Sequence, residues 1–177
     1  MQLHLKTPNH TDEVTALRTL FEDYLKTIYW SENALAKVFI ALLDDIGSKD
    51  LMRLMAHHAA NTKIHTDRIE KVFESVGIKP EEKKSESVAC MIGESQQILS
   101  LTESGPVRDA AIIAWVQHVI HAEIASYGTL RSFALTLREE GVVRLLEKNL
   151  EDEKELDLKL SLVAEAYVND EAANQEI

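Results

Sequence analysis

The sequence carries one cysteine, Cys90, in 177 residues. A single thiol excludes an internal disulfide and a thiolate metal cluster, and it suits a reducing cytoplasm. Glycine and proline are scarce too, at six and three, too few for the many turns of a β fold. No apolar run approaches the ~18 residues of a membrane span, and the start "MQLHLKTPNHTDEV" lacks the apolar stretch of a signal peptide. Positive charge is in short supply: 19 Lys and Arg face 30 Asp and Glu, for a formal net charge of −11. A chain this acidic, without a basic face, has no electrostatic reason to seek nucleic acid or an anionic membrane, but it attracts cations. These absences predict a cytoplasmic all-α protein that binds neither.

What is present is helical periodicity, on a background of 45% hydrophobic and 28% charged residues. Four long segments repeat apolar residues at helical spacing. The first opens near Asn9 and Thr11, which offer N-caps, with Asp12 and Glu13 at the positive end of the dipole. It runs to about Ile46 and stops at "GSKD". The second starts from Ser48 and ends with Gly77 as the C′ residue and Pro80 beyond. The third begins at Pro106, which suits a first helical position, and reaches "LREEG". The fourth spans about Val142 to Val168. Short links around Gly47 and Gly141 imply two antiparallel hairpins, and the long link between them holds a short helix over Ser85–Leu99. Two hairpins joined by one long crossover make a ferritin-like four-helix bundle. The whole chain, 1–177, is expected to be one such domain, with its core over about 11–168 and a frayed polar tail at 169–177.

Each inward stripe is apolar except near its middle. The first helix gives Leu17, Phe21, Tyr24 and Ile28, then Glu32, then Leu35, Phe39 and Leu42. The second gives Leu51 and Leu54, then His58, Thr62 and His65, then Ile69 and Val72. The third is broken by Glu123, between Ile120 and Tyr127; the fourth by Glu153 and Asp157, between Leu150 and Leu160. At ~100° per residue, His58 and His65 differ by only ~20° around their helix. The interruptions also share a level. Residues facing each other in a hairpin lie equidistant from its turn. The numbers of Glu32 and His65 average 48.5, within "GSKD"; those of Glu123 and Glu153 average 138, and of Glu123 and Asp157 average 140, at "REEG".

Burying a lone carboxylate costs several kcal/mol, against a folding margin of only ~5–15 kcal/mol. Converging carboxylates without a cation repel and stay partly protonated, and no Lys or Arg falls on these stripes at this level. A divalent cation supplies the missing charge and accepts both oxygen and imidazole ligands. Taken singly, a histidine on an apolar face is more often hydrogen-bonded core, and a lone Glu more often an edge residue. It is the convergence that marks Glu32, His58, His65, Glu123, Glu153 and Asp157 as metal ligands. His57, His118 and His121 fall off the stripes and read as surface or dimer-contact residues, and "YW" at 29–30 reads as packing.

The stretches "RIEKVFESVGIKP", "VRDAAIIAWVQHVIHAEIASYGTL" and "LLEKNLEDEKELDLKLSLVAE" resemble the YciF/YciE stress-protein family of ferritin-like proteins. The resemblance implies a ferritin-like bundle, a homodimer, and a di-metal centre. It matches Glu32 in "YWSE" to a helix Glu of the family, and it also places Glu123, Glu153 and Asp157 at family positions. Two positions depart: Asn61 stands where the family carries an acidic residue, and Ile120 where it carries Glu. The Glu-x-x-His pair of ferritin-type di-iron helices is absent throughout. Two functions follow as expectations. One is a metal protein holding iron or manganese, as one ion or two, with ferroxidase or peroxide-handling activity under stress. The other is a metal-free dimeric scaffold whose site has decayed.

Overall fold

The structure, a computed structural model, describes residues 10–175. The expected cap Asn9, and the side chains of Thr11, Asp12 and Glu13, lie outside what it describes. Helix α1 covers His10–Leu42 and ends in a 3₁₀ turn, Leu43–Asp45. α2 follows over Lys49–Ser75, with Ser48 as its N-cap: the Ser48 hydroxyl accepts from the Leu51 N–H at 3.3 Å. Gly77 then takes φ 75°, the left-handed conformation that closes a helix cheaply only with glycine. The crossover carries α3 (Glu86–Leu101), capped by Ser85, and α4 (Pro106–Thr136) begins with proline in its first turn. α5 spans Glu140–Val163.

α1 packs on α2 and α4, and α5 packs on α2 and α4, closing a four-helix ring; α3 lies outside against α4 and α1. This is the all-α bundle of two hairpins and a crossover that the periodicity predicts. Among the described residues no helix is long and apolar enough to cross a membrane.

Three details differ from expectation. Tyr24 is 44% exposed, and Leu25, one position on, takes its place in the core. On α2, Met55 is buried where Leu54 was expected, with Leu54 only half-buried. The described part of the tail is helical: after a wide π-type turn over Ala164–Val168, α6 (Asn169–Gln175) continues the helix and packs on α4. That turn buries Val168 and lets the Tyr167 hydroxyl meet the Ser48 hydroxyl at 2.9 Å.

The apolar core comes in two parts. One gathers Leu35, Phe39, Met55, Ile120 and Leu156 toward the α1–α2 turn; the other gathers Phe21, Ile28, Ile69, Tyr127 and Leu150 toward the α4–α5 turn. Glu32, His58, His65, Glu123 and Glu153 fall between them along their four helices, and all are buried. The bundle therefore carries a polar layer across its middle.

Candidate metal centre

Glu32 from α1, His65 from α2 and Glu153 from α5 each offer one ligand atom within 4.8 Å of the other two. His65 Nδ1 lies 3.3 Å from Glu32 Oε1 and 3.1 Å from Glu153 Oε1. Equal distance from the α1–α2 turn brings Glu32 and His65 together, as the numbering predicts. His65 and Glu153 meet across the α2–α5 face, a contact that the turns alone do not specify. Glu123 joins from α4, close enough for the charges of Glu32 and Glu153 to act on it.

The remaining expected ligands are placed differently. His58 is buried, its ring 6.3 Å from that of His65 and 4.7 Å from that of Phe39, outside the group of three. Its Nε2 has no hydrogen-bond partner. Asp157 is not brought to the cluster. Its side chain is 26% exposed, lies 3.3 Å from His121 Nε2, and accepts from Gln117 Nε2 at 3.0 Å. One turn beyond Glu153 it has rotated by ~40°, and Leu156 and Leu160 take the inward positions there. His121, expected to be a surface or dimer-contact residue, is exposed and is its partner.

Several residues that sequence reasoning missed support the layer. The Tyr127 hydroxyl donates to Glu32 Oε1 and accepts from Asn149 Nδ2 at 3.1 Å. Asn149, fully buried, also donates to the His65 carbonyl at 3.3 Å. Arg68 donates to Asn149 at 2.9 Å and to Asp152 at 2.5 Å, and Asp152 lies 3.4 Å from His65 Nε2. No Lys or Arg is buried at this level among the described residues, as the stripes predict; half-buried Arg68, off the stripe, reaches the rim of the layer through Asp152. The signals were thin but present, since Asn149 is one turn from Glu153 and Arg68 is three residues from His65.

A family model described as a domain of unknown function, DUF892, matches residues 16–173. The chain belongs to the DUF892 family. Within it, the chain is 34% identical to Protein YciF of Escherichia coli (strain K12) over 160 residues, covering 90% of this chain and 96% of that one. The crystal structure of the E. coli stress protein YciF superposes with a TM-score of 0.82, covering 86% of this chain and 97% of YciF. YcfI from Rhodopseudomonas palustris, whose description suggests a structural role, is 28% identical, with a TM-score of 0.80 over 91% of this chain and 97% of that one.

The electrostatics of this DUF892 layer follow from burial. Burial, then the charges of Glu32 and Glu153, hold the Glu123 carboxyl well above the usual carboxylate range. Burial raises Glu153 to about 7, with His65 pulling the other way and Glu32 adding to the rise. Burial opposes charge on His65, but its contacts with Glu153 and Glu32 win and push it up to about 10. Burial, then the charges of His65 and His57, outweigh the opposing charge of Asp152 and lower His58 to about 3. Although His65 Nδ1 is within ion-pair distance of two carboxylates, neither contact has hydrogen-bond alignment. Seven buried side-chain atoms of the layer are left without a hydrogen-bond partner: His58 Nε2, both nitrogens of His65, and all four carboxylate oxygens of Glu123 and Glu153. Native interiors rarely leave even one such atom unexplained.

This donor set fits a divalent transition metal. Oxygen and imidazole donors suit iron and manganese. Donors bound ~2.1 Å from one ion stand ~3.0–3.4 Å apart, which is the spacing of His65 Nδ1 from its two carboxylates.

Proposed function

We propose that this chain is a ferritin-like, metal-binding stress-response protein that holds iron or manganese, as one ion or two, in its central layer. The observation that carries the proposal is the set of seven buried donor atoms without hydrogen-bond partners, from three helices, near one level of the bundle. Glu32, His65 and Glu153 would hold the ion, with Glu123 and His58 at its sides. Iron or manganese, when bound, supplies one-electron chemistry toward oxygen or peroxide, and the activity proposed is Fe²⁺ oxidation or peroxide handling. The chain's own part is to exclude water with the two apolar half-cores, to hold the backbone at His65 through Asn149, and to fix Glu32 through the Tyr127 hydroxyl. The reading includes a cytoplasmic location, which the single thiol of Cys90 suits, and a homodimer, which the family resemblance supports.

Elemental analysis of protein purified without chelator tests it, together with melting temperature on adding Fe²⁺ under nitrogen, or Mn²⁺. A bound ion raises that temperature by mass action, and Glu123→Ala is expected to lose the gain. Less than about 0.2 metal per chain, with no gain, would sink the reading. Binding must also release protons, because His65 at about 10 and Glu153 at about 7 hold theirs at neutral pH. Affinity for Mn²⁺ should therefore climb as pH rises from 6 toward 9 (~100-fold or more), and calorimetry in two buffers of different ionisation enthalpy should show the released protons.

The metal-free scaffold is the second reading, and one observation favours it. A charged His65 between Glu32 and Glu153 already supplies part of the missing positive charge. Asn61 also faces His57, at 3.4 Å, instead of adding a carboxylate. The same elemental analysis separates the two readings.

A further inference from the structure

Glu123 has two buried oxygens without a hydrogen-bond partner, and the residue stands in the wall of a cavity of about 410 Å³ on the α1–α4 face, beneath the start of α3. The wall of that cavity has an unusual chemistry. Thr27, Ser31 and Ser126 all line it, and each donates its one hydroxyl proton to a carbonyl four residues back in its own helix. The acceptors are Asp23 O at 2.9 Å, Thr27 O at 2.9 Å and Ala122 O at 2.8 Å. A hydroxyl has one proton and two lone pairs, so these three present only lone pairs to the cavity. Ser31 and Glu123 are both buried, so the cavity wall includes residues of the bundle interior. At the mouth, Asp23 is paired with Lys83 at 2.5 Å and Glu86 with Lys84 at 3.0 Å, all four being cavity-lining groups whose charges cancel.

With the Lys83 and Lys84 ammonium groups at the mouth engaged by Asp23 and Glu86, the inner wall of three spent hydroxyls offers nothing to an anion or to a carbonyl ligand. It does suit a hard cation and the protons of its water shell. The opposite face, between α2 and α5, has a smaller cavity of about 120 Å³ that reaches His58 but not Glu123, and its lining mixes the N–H donors of Lys159 and Asn61 with the carboxylates of Asp152 and Glu155. Resting on the metal-binding reading above, we propose that the α1–α4 cavity is the entry path by which a hydrated divalent cation reaches the polar layer. Thr27, Ser31 and Ser126 solvate the ion in passage, and Glu123 is the inner end of the path.

The test is stopped-flow uptake of Co²⁺ by the full chain, read from the ligand-field absorption of the bound ion, with final occupancy measured separately. Thr27→Val/Ser126→Ala removes lone pairs and adds no bulk; Ser126→Phe fills the cavity. Both are expected to slow uptake about tenfold or more while leaving final occupancy and spectrum unchanged. Asn61→Phe, in the opposite cavity, should bind at the wild-type rate. If Ser126→Phe does not fold, the double variant still tests the path. Wild-type rates in the folded cavity variants, or slowing by Asn61→Phe alone, would overturn the path and leave metal binding standing. A lowered occupancy at an unchanged rate would make these hydroxyls ligands instead, which also overturns it. No Co²⁺ uptake by the wild type would overturn both the path and the function on which it rests.

Discussion

His65 and Glu123 are buried alike, at 0% and 2% exposure, yet their replacement should move stability in opposite directions. His65 is the cation held between Glu32 and Glu153. Removing one partner of a buried charge pair costs about 3–5 kcal/mol, because the other partner is left uncompensated. His65→Leu should therefore destabilise the chelator-treated protein by that much in urea unfolding. Glu123 has no hydrogen-bond partner to lose, so Glu123→Met should stabilise the same protein by about 1–3 kcal/mol, the desolvation cost of an unsatisfied group. The pH dependence follows the same residues. His65, raised from 6.5 to about 10, contributes stability that is whole below pH 6.5 and lost as pH rises through about 10. Glu153, raised from 4.5 to about 7, contributes stability that is whole below 4.5 and lost as pH rises through about 7. His58, lowered to about 3, has the opposite sign, but only below pH 6.5. The metal-free protein should thus melt at progressively lower temperature between pH 7 and 10, and His65→Leu should flatten that slope. Which residues of the layer were legible in the sequence follows from geometry. Glu32 and His65 could be paired because two antiparallel helices share a level when their positions are equidistant from a turn. Asp157 was misassigned because the same arithmetic fixes height and not rotation. Tyr127 and Asn149 escaped because a stripe counts tyrosine as apolar and Asn149 sits beside Leu150 at the stripe's edge.

At the scale of elements, the α4–α5 turn is where composition misled. The glycine in "LREEG" suggests that Gly141 makes the turn, yet Gly141 lies inside α5, and the left-handed position belongs to Arg138 at φ 61°. An L-residue there costs about 1–2 kcal/mol, while a glycine in a helix costs about 0.5–1 kcal/mol relative to alanine. A Cβ added at Gly141 meets nothing within 4 Å. Arg138→Gly and Gly141→Ala should each raise stability, by about 1 kcal/mol in urea unfolding and nearly additively. The α1–α2 turn hides a different element-scale device. Buried Asp109, in the first turn of α4, accepts from the Gly47 and Ser48 N–H groups at 2.9 and 2.7 Å. This ties one hairpin's turn to the start of the other hairpin. Nothing in the local pattern of either segment signals it, because the contact spans |i−j| of 62 and 61. Helix lengths, by contrast, were legible to within a few residues. Each depends on its own periodicity, on a cap such as Ser48 or Ser85, and on a stop such as Gly77.

For the whole molecule, the −11 charge and the carboxyl groups of the layer point the same way, since both draw cations toward a bundle whose centre sets Glu32, Glu123 and Glu153 against the single cation His65. The layer also separates two apolar half-cores, one at each end of the bundle. Hydrophobic contact is what normally makes a bundle melt as one unit, and here that contact is interrupted at mid-height. Without an ion, the two ends are joined by helix backbone, by Ile124, which packs on both half-cores, and by the charges and hydrogen bonds of the layer. Amides near Phe39 and Leu51 should then exchange with deuterium at a rate set by one local opening, and amides near Phe21 and Phe73 at a rate set by another. A cation gripping side chains from opposite helices would weld these openings together, so that protection at both ends rises to one common value. The centre of the bundle would then govern cooperativity, and an ion too small to fill either half-core would set whether the chain breathes in two parts or in one.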